Sequence, residues 1–342
     1  MTLRIGLIGT GRIGALHAET LRALPGVDEV VVADADTRRA HELAERLGAG
    51  LVAAPGVEDM YAAGPDGVVI AAATSAHAVL LHRALDAGVP VFCEKPVALD
   101  VPGTLSVAER AAAPGAVPVQ VGFQRRFDRG YRAARAALRA GELGWLHTLR
   151  ACTSDRTPPP AAYIPTSGGL FRDCGIHDFD ILRWLTGREV ETVYAMGANR
   201  GDAFFRDGDD VDTCAALLRF DDGVLATVTA TRYNGAGHDV RLEVCGSEAT
   251  RVVGLDDHAP LPTAEEGLSW RRAEPYDTFM ERFRDAYAAE LGAFVEVAAG
   301  RTESPCTVGD ALEALYVAEA CDLSRRTGEP VAVADVRAGQ RG

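Results

Sequence analysis

Lysine is almost missing from this sequence: of its 35 basic residues, 34 are arginine and one, Lys95, is lysine. Cysteine is sparse too, seven residues at 93, 152, 174, 214, 245, 306 and 321 with no C-x-x-C pair among them. That scatter excludes a zinc knot or a dithiol redox motif, so no metal is expected and the thiols should be reduced, as in a cytoplasmic protein. An excess of positive charge is also absent. At a net charge of −14 the surface field repels nucleic acid and anionic lipid, which argues against either as a partner. No apolar run approaches the length of a membrane span, and the opening stretch Met1-Thr2-Leu3-Arg4-Ile5-Gly6-Leu7-Ile8-Gly9 is broken by glycine before it could serve as a signal peptide. Low-complexity tracts and internal repeats are lacking as well.

What is present is an ordinary globular composition, 47% hydrophobic and 25% charged over 342 residues, more chain than one hydrophobic core usually serves. The division is expected near residue 122. Up to that point β-branched runs alternate with helical periodicity: 3–8, 27–33, 67–71, 89–93 and 117–121 as strands, with helices following 3–8, 27–33, 67–71 and 89–93. Continuous apolar strands separated by helices mean a parallel sheet covered on both faces, a doubly wound α/β domain of about six strands over 1–122. Over 123–342 the rhythm changes. A helix at 128–140 leads to a strand at 146–152, the loop Pro158-Pro159-Pro160 and a helix at about 169–185. Strands then follow in succession at 190–198, 211–220, 224–232, 240–245 and 250–255, with Asp222-Gly223 as a tight hairpin turn, and helices at 279–299 and 308–326 close the chain. This describes an α+β domain with a large, mostly antiparallel open sheet.

The chemistry begins at Gly9-Thr10-Gly11-Arg12-Ile13-Gly14, between the first strand and the first helix. In that context the first glycine makes a tight turn, the second admits a pyrophosphate, the third lets helix pack on strand, and the phosphate rests on the helix dipole. Asp34 ends the second strand, where a carboxylate accepts both ribose hydroxyls of an adenosine and repels a 2'-phosphate. NAD is therefore favoured over NADP, with Arg38 and Arg39 keeping NADP open. Lys95, in Cys93-Glu94-Lys95-Pro96, stands past the carboxyl end of the fifth strand, the edge where open parallel sheets bind ligands. Unlike arginine, lysine can be tuned by burial and neighbours, so its retention at this one place points to chemistry. Asp173 and His177 are four apart in a helical stretch and share a face with Asp180. A carboxylate beside an imidazole raises its basicity and fixes its orientation, as removal of a hydroxyl proton requires.

These motifs, with Val121-Gly122-Phe123-Gln124-Arg125-Arg126-Phe127-Asp128 and Gly168-Gly169-x-x-x-Asp173-x-x-x-His177-Asp178-x-Asp180, resemble those of the glucose-fructose oxidoreductase and inositol dehydrogenase (Gfo/Idh/MocA) family, and within it the inositol 2-dehydrogenases. The resemblance runs from Leu3 to about Val333. It implies a Rossmann domain joined to an open-sheet domain, assembled as homodimers or homotetramers through the sheet. It also implies a catalytic group of Lys95, Asp173 and His177, with His177 as the base. Thr74, Ser75 and His77 match the stretch lining the nicotinamide side, Glu94 and Gln124 fall at cofactor contacts beside Arg12 and Ile13 of the glycine loop, and Arg125 and Asp180 fall where inositol dehydrogenases contact substrate hydroxyls. The chain departs from the pattern on the substrate side. Ala236-Gly237-His238-Asp239 stands where a Tyr-Gly-Tyr-Asp stretch is usual, and Ser154-Asp155-Arg156 replaces a His-Arg-Asn stretch, which makes Asp155 and His238 candidate substrate contacts.

The expected activity is NAD-dependent oxidation of a ring hydroxyl of a cyclitol or sugar, with the nicotinamide at the cleft between domains. A ketosugar reductase using NADPH and a non-catalytic dinucleotide-sensing regulator are the other readings the resemblance allows.

Overall fold

The computed structural model describes residues 2–268 and 273–339. Strands β1 (Leu3–Ile8), β2 (Val27–Ala33), β3 (Leu51–Ala53), β4 (Gly67–Ile70), β5 (Val91–Glu94) and β6 (Val119–Gly122) form one sheet in the order β3-β2-β1-β4-β5-β6. Every pairing in it is parallel. The chain steps outward from β1 to β2 and β3, then returns to the other side of β1 as β4. That reversal opens a crevice at the carboxyl ends of the strands, and the loops after β1, β2, β4, β5 and β6 all reach the same edge. The doubly wound α/β sheet is as expected. Its third strand, only three residues long, and the helix Val57–Ala62 carry too little pattern to be seen in the sequence.

The domain division differs from the expected one. The first compact unit comprises 1–127 together with 285–312, and the second 128–284 with 313–342. Helix Arg284–Ala298 sends Leu291, Phe294, Val295 and Val297 into the same core as Leu7, Val30, Val32, Val69 and Phe92. Cys306 O accepts from the Val121 amide of β6 at 2.9 Å, and Glu290 O accepts from Gln120 Nε2 at 3.1 Å. Apolar periodicity announces that such a helix is buried and says nothing of which sheet buries it.

In the second unit the strands β7 (Leu146–Ser154), β8 (Val190–Ala198), β9 (Thr213–Phe220), β10 (Leu225–Thr231), β11 (Asp239–Gly246), β12 (Thr250–Val253) and β13 (Val331–Ala332) are ordered β12-β11-β7-β10-β9-β8-β13. The sheet is mostly antiparallel, but its β7–β10 pair is parallel. The reason is the helical crossover through 155–189, which brings β8 back running in the direction of β7, so that β10 also does so after two reversals. One face is covered and the other open, as the alternation along β9 shows: Cys214, Ala216, Leu218 and Phe220 are buried while Ala215, Leu217 and Arg219 are exposed. Asp222-Gly223 makes the expected tight turn, Gly223 donating to Phe220 O and Phe220 to Val224 O. Among the described residues no helix is long and apolar enough to cross a membrane.

Candidate active site

The loop after β1 is shaped by what glycine lacks. Gly9 has φ +96°, and a Cβ there would lie 2.6 Å from the Ala71 backbone; a Cβ on Gly14 would lie 1.9 Å from Gly9 O. Both positions are closed by the chain itself. At Gly11 the nearest such atom, Arg39 Nη2, is 3.9 Å away, so the space above this residue is left for something else. Helix Arg12–Ala23 then begins with no side-chain cap and no acidic residue in its first turn. The positive end of its dipole, uncompensated by an acidic side chain, favours an anion there. Arg12 is exposed and Ile13 half-buried on that turn. The cradle suits a dinucleotide pyrophosphate.

Asp34, just past β2, closes over this loop. Its Oδ2 accepts from the Thr10 amide at 2.7 Å and the Thr10 hydroxyl at 2.8 Å, and its Oδ1 accepts from the Asp36 amide at 2.9 Å. Partial burial alone raises the carboxyl pKa; these hydrogen bonds and the Arg39 guanidinium outweigh it and hold Asp34 below the ordinary carboxylate range. Three of the four lone-pair sites of the carboxylate are taken, two on Oδ2 and one on Oδ1, and the remaining one on Oδ1 can accept from a ribose hydroxyl. Arg38 points elsewhere, 77% exposed and 3.7 and 3.8 Å from Asp36 and Glu42. Arg39, which its place on a polar helix face does not single out in the sequence, is the arginine beside Gly11 and Asp34.

Lys95 follows the last residue of β5 at the same edge and is half-buried, with a cis peptide bond to Pro96. Both sides of it are tied down. Before it, Glu94 Oε1 lies 2.7 Å from Nε2 of His17, a fully buried residue of helix Arg12–Ala23. The His17 Nδ1 has no partner among the described residues, so the ring's hydrogen bond runs through Nε2 to Glu94. After it, Pro96 O lies 2.7 Å from Nδ1 of His77, whose Nε2 faces Ala72 O at 3.0 Å. Both His77 nitrogens thus face backbone carbonyls, and the ring joins the β4 and β5 loops. Thr74 and Ser75 open helix Thr74–Ala87, Thr74 half-buried and Ser75 exposed. Gln124 and Arg125 are buried in a 3₁₀ turn after β6, next to Arg126, which donates to Pro305 O at 3.1 Å and pairs with Asp310 at 3.3 Å.

In the second unit the single helix expected over 169–185 is two: a π-helical turn, Phe171–Gly175, and an α-helix, Ile176–Thr186. The wide turn contains Asp173 and ends two residues before His177, a departure that frequently marks functional sites. Asp173 Oδ2 accepts from Arg232 Nη2 at 2.6 Å, and Oδ1 accepts from the Tyr163 hydroxyl at 3.0 Å. Burial and Asp173 push the Tyr163 phenol above its usual range, with Arg232 partly offsetting them. His177 is half-buried, Asp180 is wholly buried, and Asp178 accepts from the Thr153 hydroxyl at 2.8 Å.

Asp155 and His238 are neighbours. Asp155 Oδ1 lies 3.5 Å from His238 Nδ1 and Oδ2 accepts from Arg232 Nη1 at 3.0 Å; burial raises the Asp155 pKa, but His238 and Arg232 outweigh it and leave the carboxyl below its ordinary value. His238 is itself buried, and its Nε2 has no partner among the described residues. Arg156 turns away to Asp277. Arg232 was not among the candidates, although one signal was available: Ala226, Val228 and Ala230 form the buried row of β10, and Arg232 takes the next place in it.

A doubly wound parallel sheet with a glycine cradle for a pyrophosphate, followed by an open-sheet domain, defines a dinucleotide-dependent oxidoreductase. The chain belongs to the Gfo/Idh/MocA family: residues 3–123 match the oxidoreductase family's NAD-binding Rossmann fold, and 131–252 match the GFO/IDH/MocA C-terminal domain. It is 39% identical over 333 residues to a myo-inositol dehydrogenase of Streptomyces leeuwenhoekii, covering 96% of this chain and 100% of the relative. It is 34% identical over 331 residues to the scyllo-inositol 2-dehydrogenase (NAD(+)) of Bacillus subtilis, covering 96% of each. Among solved structures, a myo-inositol dehydrogenase from Corynebacterium glutamicum matches with a TM-score of 0.87 at 35% identity, covering 97% of this chain and 99% of that one. A scyllo-inositol dehydrogenase from Lactobacillus casei with bound NAD(H) and scyllo-inositol matches with a TM-score of 0.87 at 28% identity, covering 98% and 100%.

Proposed function

We propose that the protein oxidises a ring hydroxyl of a cyclitol, an inositol in particular, to the ketone with NAD. The observation that carries this reading is Lys95: the one lysine of the chain stands at the carboxyl end of β5, the ligand-binding edge of the sheet, with Glu94 and Pro96 on either side held by His17 and His77. The inositol substrates of the relatives support the substrate class. NAD, when bound, supplies the hydride acceptor. Gly9, Gly11, Arg12, Ile13 and Gly14 hold its pyrophosphate, Asp34 its adenosine ribose, and Thr74, Ser75, Glu94 and Gln124 its nicotinamide half. The protein's own work is on the hydroxyl. His177 takes the proton, Lys95 donates a hydrogen bond to the same oxygen as alkoxide character develops, and Asp173 orients the pair. Arg125, Asp155, Asp180 and His238 recognise the remaining hydroxyls. The same reading makes the protein a cytoplasmic homodimer or homotetramer that associates through the open sheet face, on which Met196, Leu217 and Leu225 are exposed.

Initial rates on a panel of inositol isomers and aldoses, each with NAD and NADP, test the reading. Turnover is expected with at least one inositol and no macromolecular partner. An ionised Asp34 repels a 2'-phosphate, so kcat/KM with NAD should exceed that with NADP by at least about tenfold, or ~1.4 kcal/mol. Equal efficiency with NADP would count against Asp34 as the ribose ligand. Dinucleotide binding without turnover on any polyol would remove the enzymatic reading itself.

A further inference from the structure

We propose that Arg232 is a positioning residue of this dehydrogenase, a buried guanidinium that bridges Asp155 and Asp173 and sets the charge around the base. The proposal rests on the reading above in two respects, that Asp173 serves the reaction and that His177 is its base.

The geometry begins with the sheet. β11, β7 and β10 are neighbours, and each carries a buried row at every second residue: Val240, Leu242 and Val244; Leu149, Ala151 and Thr153; Ala226, Val228 and Ala230. Continued to the same edge, those rows end in His238, Asp155 and Arg232, because Asp239 and Thr231 both lie opposite Ser154. Three buried rows thus finish in an imidazole, a carboxylate and a guanidinium side by side. Arg232 is 4% exposed, and such burial of a cation persists only with close anionic partners. It has them: Nη2 donates to Asp173 Oδ2 at 2.6 Å, Nη1 to Asp155 Oδ2 at 3.0 Å and to Cys174 Sγ at 2.9 Å. Burial works against the charge of Arg232, but Cys174, Asp173 and Asp155 outweigh it and hold the guanidinium protonated.

The arrangement gives each carboxylate two restraints. Arg232 takes one oxygen of both, Tyr163 takes the other oxygen of Asp173, and His238 stands beside the other oxygen of Asp155. Asp212 accepts from the Arg200 and Gly201 amides and the Thr213 hydroxyl, and its carbonyl fixes the Arg232 backbone. Asp210 also senses the guanidinium charge and accepts from the Leu170 amide. Among the described residues, the titratable groups that face Arg232 or sense its charge are Asp155, Tyr163, Asp173, Cys174, Asp210, Cys214 and His238. Two carboxylates on one cation leave a single excess negative charge for the polyol and the base. Without the cation both carboxylates lose a fixed partner, and each neighbouring acid binds its proton more tightly.

The test uses the full-length enzyme with NAD and the inositol it turns over fastest. Arg232→Met should lower kcat by about a hundredfold and move the acid limb of the kcat profile up by about one pH unit, while NAD affinity measured by fluorescence titration stays within about twofold. Arg232→Lys keeps a buried cation but serves one carboxylate at a time, so it should recover part of kcat and bring the limb only part of the way back. Should Arg232→Met not fold, the lysine variant decides alone: its acid limb must still lie above that of the parent. An unmoved limb in folded variants, or equal losses in both with no change in pH dependence, overturns the proposal and leaves Arg232 a purely structural pair. Asp173→Asn separates the two levels. If it turns over normally, the reading of Asp173 fails; if it is disabled while the arginine variants keep the parental limb, only the role of Arg232 fails.

Discussion

Lys95→Arg should cut turnover by about a thousandfold, ~4 kcal/mol of barrier, with NAD affinity unchanged within about twofold. The substitution keeps a positive charge at the end of β5 and so isolates what is specific to lysine. An ammonium is a compact donor on a flexible stem, able to meet one developing alkoxide and to share its proton; a guanidinium is a planar fork that cannot deprotonate. The surroundings cannot adapt, because Glu94 is held by His17 and Pro96 O by His77, so the longer head group cannot be accommodated by moving the loop. Steady-state kinetics beside a dinucleotide titration give the result. Turnover within about threefold of the parent would show that Lys95 has no part in the chemistry, whatever its isolation in the composition.

His177→Ala should lower kcat by at least about a hundredfold, with a smaller change in KM for the polyol, and should abolish the acid limb of the kcat profile. The argument is one of proton inventory. A secondary hydroxyl must lose its proton as its carbon loses hydride, and among the residues assigned to that hydroxyl the imidazole is the one whose ordinary titration lies in the physiological range. A loss confined to KM, with the pH profile intact, would make His177 a binding residue and require another base.

The first domain is largely legible in sequence because its signals are local. Gly9, Gly11, Gly14 and Asp34 lie within two strands and one helix of each other, and the structure shows a separate steric or electrostatic reason for each. Lys95 is legible through composition and through its position after an apolar run. What escapes is what depends on distant pairing. Arg232 meets Asp155 across 77 residues and Asp173 across 59, and only its place as the next position of the buried row of β10 hints that a charge faces inward there. The spacing of Asp173 and His177 reads as one α-helical face, while the chain places Asp173 in a π turn and His177 in the α-helix that follows, a choice invisible to periodicity. The return of 285–312 to the first unit is hidden for a related reason: an apolar helix face records burial without recording its partner.

The most direct measurement follows the hydrogen. Ring-deuterated myo- and scyllo-inositol, supplied separately with unlabelled NAD and the purified enzyme, should give reduced cofactor carrying one deuterium per molecule formed, with a ketone produced in equal amount and a slower rate than with unlabelled polyol. Reduced cofactor without deuterium, or no reduction with any inositol isomer while NAD binds, would contradict direct oxidation of a ring hydroxyl by this protein.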